Sequence, residues 1–466
     1  MADAAISSYA PRGKSLTEGL VITVRLSALS RKAWMLFAGA LFYGALVACY
    51  GLTIVPTNFS EGFTYRDLPA WCWVTSLVLA LMPLLWMQPD FRRPSDFTSW
   101  FLYACVTVPV MFIPLLASTD DPEDVLPLML MVLLAQLLFD WSRRGRTVRV
   151  PRVSGSLPMF MIAMPILMVG LSLALWSHVG FRIDLGIEDV YVRREEAREA
   201  LNSGAANLVL RYGEAVLLGV LIPSATVLGI SKRKPHMLAA AAFSVLAVFS
   251  FDGQKAVLLG PIMLALVTIL TSRTRRNGFF WMTGAFACLF LLAIGQVFVL
   301  SNSSLSIYVV RRVTAMPGLL SYFYWEFFSQ NPHVMLRDGA LGSVFSRSPY
   351  PFGAARMIGL EYFGSPDTNA NAGIWLAGFA HFGYAGAMIA SVLAGWILRL
   401  VDSMALQGRY AAGCAFCMML GLIWSNGALH TSLLSNGVVV LLGTLMIFPT
   451  LTEANGRQNR GEAGAV

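Results

Sequence analysis

Apolar runs of roughly 16 to 25 residues recur along this chain without two-residue alternation, which fits membrane helices and excludes a membrane barrel. Backbone in lipid must satisfy its own hydrogen bonds, so each such run is a helix. Twelve runs are expected to span: 33–55, 71–88, 99–118, 124–140, 156–179, 214–230, 237–251, 255–271, 278–301, 373–398, 410–424 and 430–450. Only 13% of the 466 residues are charged, about half the share of a soluble protein. The expected fold class is an all-α polytopic membrane protein.

The basic residues set the orientation. With the N-terminus inside, the inner segments hold 22 of the 34 lysines and arginines, and the outer segments hold 12. Inner segments include Arg31-Lys32, Arg92-Arg93, Arg143 to Arg152, Lys232-Arg233-Lys234, and Arg399 with Arg409. The short outer loop Asp120-Asp121-Pro122-Glu123-Asp124 has no basic residue. The net charge of +8 is therefore a topology signal, and nucleic acid is not an expected partner.

The domain plan follows. Residues 1–32 form a cytoplasmic segment without a cleavable signal, and 33–179 hold helices 1–5. A first large outer loop covers 180–213, helices 6–9 cover 214–301, and a second large loop covers 302–372. Helices 10–12 cover 373–450, and 451–466 is a cytoplasmic tail. Ten of the twelve outer basic residues lie in the two large loops. Long loops translocate largely regardless of charge, so these arginines need another reason to be there.

The first loop contains Arg193-Arg194-Glu195-Glu196-Ala197-Arg198-Glu199. That spacing suits an exposed helix with i,i+4 ion pairs. It also suits anion binding, since guanidinium forks match phosphate oxygens. The second loop carries Arg311-Arg312, Pro317-Gly318 and the aromatic run Tyr322 to Phe328. The run reads either as a belt helix at the headgroups or as rings that contact sugars or an isoprenoid chain. Lys255 follows Asp252-Gly253-Gln254 at the tip of an expected helical hairpin, where it either snorkels or binds a diphosphate.

Asp121-Pro122-Glu123-Asp124 is best explained as a helix start rather than a metal site. No metal is expected. Cys414 and Cys417 form a CxxC on an apolar helix and are expected to pack. His178, His236 and His430 are isolated in sequence and are expected to be structural. No nucleotide-binding or hydrolase motif is present, so no cofactor is expected.

The order Arg311-Arg312, Pro317-Gly318, Tyr322-Phe323 and Phe327-Phe328 resembles the large periplasmic loop of O-antigen and oligosaccharide repeat-unit polymerases, the Wzy type. Asn369-Ala370-Asn371-Ala372-Gly373 through Gly378-Phe379-Ala380-His381-Phe382-Gly383-Tyr384-Ala385-Gly386 resembles the helix after that loop. Val190-Tyr191 with Arg193-Arg194, then Ile222-Pro223, resembles the other large loop, and Arg193 with Gly204 matches an Arg-x10-Gly spacing. The resemblance implies a GT-C-like glycosyltransferase of the bacterial inner membrane, with both termini cytoplasmic. It implies polymerisation of undecaprenyl-diphosphate-linked oligosaccharides for O-antigen, capsule or exopolysaccharide, without nucleotide or metal. A chain-length regulator and a flippase are the implied protein partners.

On that reading Arg193, Arg194, Lys255, Arg311 and Arg312 hold diphosphates and Tyr322 contacts substrate. The base is sought among Asp184, Glu188, Asp189, His333, Asp338, Glu361, Asp367 and His381, with His381, Asp338 and Glu188 preferred. The rival readings are an O-antigen ligase, a polysaccharide transporter or flippase, and a non-catalytic assembly factor. A transporter is disfavoured because the interior of every expected span is free of lysine and arginine and no acid sits near a span centre.

Overall fold

The computed structural model describes residues 16–118, 121–151, 156–179, 212–252, 255–273, 276–337, 348–435 and 437–450. Every regular element among them is helical. α1 is Leu16–Cys49, continued by a π segment at Tyr50–Ile54. α2 is Ala70–Leu81, interrupted at Met82 and resumed over Pro83–Trp86. α3 is Ser95–Ala117 and α4 is Pro122–Arg143. α5 is Leu157–Val179, α6 is Tyr212–Ser231, α7 is Pro235–Asp252, α8 is Lys255–Arg273 and α9 is Gly278–Leu300.

α10 combines a π segment, Ser306–Ala315, with Met316–Gln330. α11 is Ala354–Phe363, α12 is Ile374–Ala405 and α13 is Tyr410–Ser425. α14 is Leu429–Leu434 and α15 is Val438–Ile447.

Each of the twelve expected runs coincides with a helix or a pair of helices. Among the described residues seven helices are long and apolar enough to cross a membrane: the one from Ser30 to Glu61, and α3, α4, α5, α6, α9 and α12. The others are shorter apolar helices. The chain is thus an all-helical membrane protein. The helix start expected at Asp121 is present, but Asp121 makes no side-chain cap; Pro122 opens a 3-10 turn that leads into α4.

Proline shapes the bundle. Each of the four π segments ends one residue before an X-Pro pair, at Pro56, Pro109, Pro223 and Pro317. Proline has no N–H, and its ring clashes with the carbonyl four residues back. Widening the preceding turn from i+4 to i+5 bonding relieves that clash and keeps the helix continuous.

The core centres on α3, where 94% of the most apolar window is buried, against 17% for α9. α9 therefore lies at the rim, with Leu291, Leu292 and Phe298 facing outwards. At one end of the bundle Arg143 is fully buried and binds Asp96 at 2.7 Å and Asp140 at 2.8 Å. Asp402 of α12 accepts hydrogen bonds from the Ser95 N–H and hydroxyl at 2.9 and 2.6 Å. This network ties α3, α4 and α12 together. Tyr410 to Phe91, Arg93 to Gly145 and Arg31 to Asp90 join the same end.

The opposite end gathers residues 59–66, the tips of α3 and α4, α10, α11 and the start of α12.

Candidate functional site

The second set of segments surrounds α10, the helix that carries Arg311, Arg312 and the aromatic run. The run is not a belt helix. Tyr322, Phe323, Tyr324 and Phe328 are buried, because α10 packs along α3 rather than along a lipid surface. Gly318 permits the approach: a Cβ there would meet Ile113 Cδ1 at 2.8 Å and Pro109 Cβ at 3.0 Å.

Arg311 and Arg312 have different surroundings. Arg311 is 6% exposed, forms an ion pair with Glu61, and donates from Nε to Ile307 O at 3.2 Å. It fastens α10 to the end of the first long helix. Arg312 is exposed.

Tyr322 is 3% exposed, and its hydroxyl donates to Glu326 Oε1 at 2.8 Å. Tyr362 of α11 donates to Glu326 Oε2 at 2.7 Å. The Phe323 ring stacks on Tyr362 with centroids 4.1 Å apart and planes 10° from parallel. Both oxygens of Glu326 are thereby oriented. Burial, and then the Glu326 carboxylate itself, push the Tyr362 phenol well above its ordinary range, so both tyrosines are donors.

Glu326 opens on a shallow cavity of about 470 Å³, within the ~300–1,000 Å³ of small-ligand sites. Glu123, Asp124 and Pro127 line one side; Trp325, Glu326, Ser329 and Gln330 line the other. No lysine or arginine is among these residues. Trp325 Nε1 lies 3.5 Å from the Tyr384 hydroxyl, which connects the cavity to α12.

α12 is not one straight span. Phe382 (φ −140°, ψ 24°) and Gly383 (φ 62°, ψ −150°) leave helical geometry. A Cβ on Gly378 would come within 2.6 Å of Gly386 O, whereas a straight helix holds residues eight apart about 12 Å from each other. The helix folds back on itself, and Gly383, with its positive φ, makes the corner. The expected span 373–398 is therefore two arms. The longer arm, from Tyr384 to Ala405, would extend about 33 Å at 1.5 Å per residue.

The break frees carbonyls that a straight helix would satisfy internally. Val334 N–H donates to Ala380 O at 2.9 Å, and Met335 N–H to His381 O at 3.1 Å. Leu336 N–H donates to His381 Nδ1 at 3.2 Å. Met335 and Leu336 hold positive φ to reach them. His381 is 4% exposed, and its ring centroid is 4.7 Å from that of His430. His333 packs edge-on against Phe379, and its Nε2 would lie 3.0 Å from a Cβ on Gly383. His430 is isolated in the sequence but not in space. With Nδ1 accepting from Leu336, the neutral His381 ring carries its proton on Nε2, which makes Nε2 a donor.

Of the expected site residues, Tyr322, Arg311, Arg312 and His381 belong to α10, α12 and their neighbourhood. Lys255 is the first residue of α8, and its side chain lies outside the described residues. Asp184, Glu188, Asp189, Arg193, Arg194 and Asp338 lie outside them altogether. Glu361 is exposed on α11, and Asp367 pairs with Arg356 at 3.3 Å. Among the described residues no group of three or more His, Cys, Asp and Glu is placed to hold a metal ion. Cys414 and Cys417 are both buried.

Glu326 is the residue that sequence reasoning missed. It is the one acid within the aromatic run and stands four positions after Tyr322, a spacing that puts both on one helix face.

No family model, curated protein or solved structure matches this chain.

Proposed function

We propose that this chain is a glycosyltransferase of the bacterial inner membrane that polymerises undecaprenyl-diphosphate-linked oligosaccharide repeat units. The growing glycan is the donor and a new lipid-linked unit is the acceptor. The twelve-span topology, with both termini cytoplasmic and α10 to α12 presented on the outer face, rests on the basic-residue asymmetry.

The observation that carries the reading is the acid- and aromatic-lined cavity beside the long helix α10. Three carboxylates and an indole, with no lysine or arginine lining the cavity among the described residues, suit the hydroxyl-rich end of an acceptor glycan. The donor's diphosphate is assigned to Arg312 and, in the first loop, to Arg193 and Arg194.

Glu326 takes the role of base. The acceptor hydroxyl gives its proton to the Glu326 carboxylate while its oxygen bonds the donor's anomeric carbon. The bond from that carbon to the diphosphate oxygen breaks, and its electron pair leaves with the lipid diphosphate. Arginine stabilises that developing charge. His381, whose Nδ1 already accepts a hydrogen bond, suits a positioning role better than a base.

The test is glycan lengthening by purified protein in detergent or proteoliposomes, with lipid-linked repeat units and no nucleotide. Lengthening that Glu326→Gln abolishes is the expected result. In cells, loss of the gene should leave a single repeat unit on the lipid A core. Loss of all repeat units would point to a ligase.

One observation favours a second reading. A helix broken within an apolar bundle, as α12 is, is also the hallmark of transporters. Transbilayer movement of the lipid-linked unit without lengthening would establish a flippase instead.

A further inference from the structure

We infer that Tyr322 and Tyr362 are positioning residues that fix both oxygens of Glu326 and aim them at the acceptor hydroxyl; this rests on the polymerase reading of the cavity. Two phenols grip one carboxylate from two different elements. Tyr322 is on the same helix, one turn earlier, and Tyr362 comes across from α11. An ionised carboxylate offers about four lone-pair sites. The two phenols take one on each oxygen, so at least one remains on each for an incoming hydroxyl.

Glu123 and Asp124 line the same cavity, and like charges repel one another. That repulsion would turn an untethered Glu326 side chain away from them. Two hydrogen bonds from two different elements hold it in place instead.

The packing fits a positioning role. Phe323 holds the Tyr362 ring face to face, and Tyr322 is buried to the hydroxyl. Both phenols meet the carboxylate at ordinary hydrogen-bond length, and neither ring lines the cavity. Neither tyrosine touches substrate on this reading; each acts through Glu326.

The test uses the full chain in detergent with Tyr322→Phe and Tyr362→Phe, which keep the rings and remove only the O–H groups. Lengthening of lipid-linked repeat units is followed as a function of their concentration. The rate constant of each variant should fall about tenfold, with little change in KM. Glu326→Gln should have no activity.

A wild-type rate constant in both variants, or a loss carried by KM alone, would overturn the clamp and leave the polymerase reading standing. Absence of lengthening by the wild-type protein would remove that reading, and the clamp with it.

Discussion

Gly378 and Gly386 belong to one helical trace, yet the carbonyl of each occupies the space where the other would carry a Cβ. The clearances are 2.6 Å from a Gly378 Cβ to Gly386 O and 2.0 Å from a Gly386 Cβ to Gly378 O. Only a helix that doubles back at Phe382 and Gly383 can bring them together. The reversal sets Tyr384 beside Trp325 in the wall of the cavity and brings Ala380 and His381 against the segment from Val334 to Leu336.

Gly386→Ala should therefore cost far more than an ordinary helical Gly→Ala change, which in open space gains about 0.4–1 kcal/mol. The obstacle is backbone rather than a yielding side chain, so the arms must separate. Gly284→Ala is the control, because nothing lies within 4 Å of its Cβ position. Thermal unfolding in detergent should show a large drop for Gly386→Ala and none for Gly284→Ala. Equal melting temperatures would mean that the arms are not in contact.

The Arg143 network makes a second prediction. Arg143 is fully buried between Asp96 and Asp140. Removing one partner of a buried ion pair strands the others and costs about 3–5 kcal/mol. Arg143→Met should sharply lower the melting temperature and the yield of folded protein. Adding Asp140→Asn should recover part of the loss, since coupled sites are non-additive. Additive losses in the double variant would show that the two side chains do not interact.

The bundle was legible in the sequence because lipid imposes one strong rule, that apolar runs must be helices, and the runs here are long and unbroken by charge. The site was less legible, for a physical reason that particular residues show. Glu326 lies inside an aromatic run whose hydrophobicity draws attention to rings, and its partner Tyr362 is thirty-six positions away in sequence. Arg311 and Arg312 are adjacent and chemically identical, and the sequence does not tell that Arg311 is the buried one, paired with Glu61. The stretch from Gly378 to Gly386 has the composition of a close-packed membrane helix. A single residue in it, Gly383, has the φ that turns it into a corner.

The difference between the two arginines can be measured. Arg311→Gln and Glu61→Gln should each lower stability, and a double-mutant cycle should give a coupling of about 1 kcal/mol or less. The small value follows from Glu61, whose side chain is 38% exposed. Arg312→Ala should shorten the surface glycan. Wild-type chain length in a well-expressed Arg312→Ala strain would remove Arg312 from the diphosphate site.

Tyr362 gives a pH dependence whose sign is fixed. Its phenol sits above the ordinary value, first because of burial and then because of Glu326. The folded state therefore holds that proton more tightly than the unfolded chain, in which the phenol titrates near about 10. The stability linked to this proton is fully present below pH ~10. It is lost as pH rises beyond that value, because the unfolded state then binds fewer protons than the folded one. Tyr362→Phe has no such proton to lose. The wild type should melt above Tyr362→Phe at pH 8, and the gap should narrow as the pH is taken from 9 to 11. Tyr350, whose phenol burial also raises, is untouched in both proteins and cancels in the comparison. A gap that stays constant or widens over that range would show that the Tyr362 hydroxyl is not buried against a carboxylate.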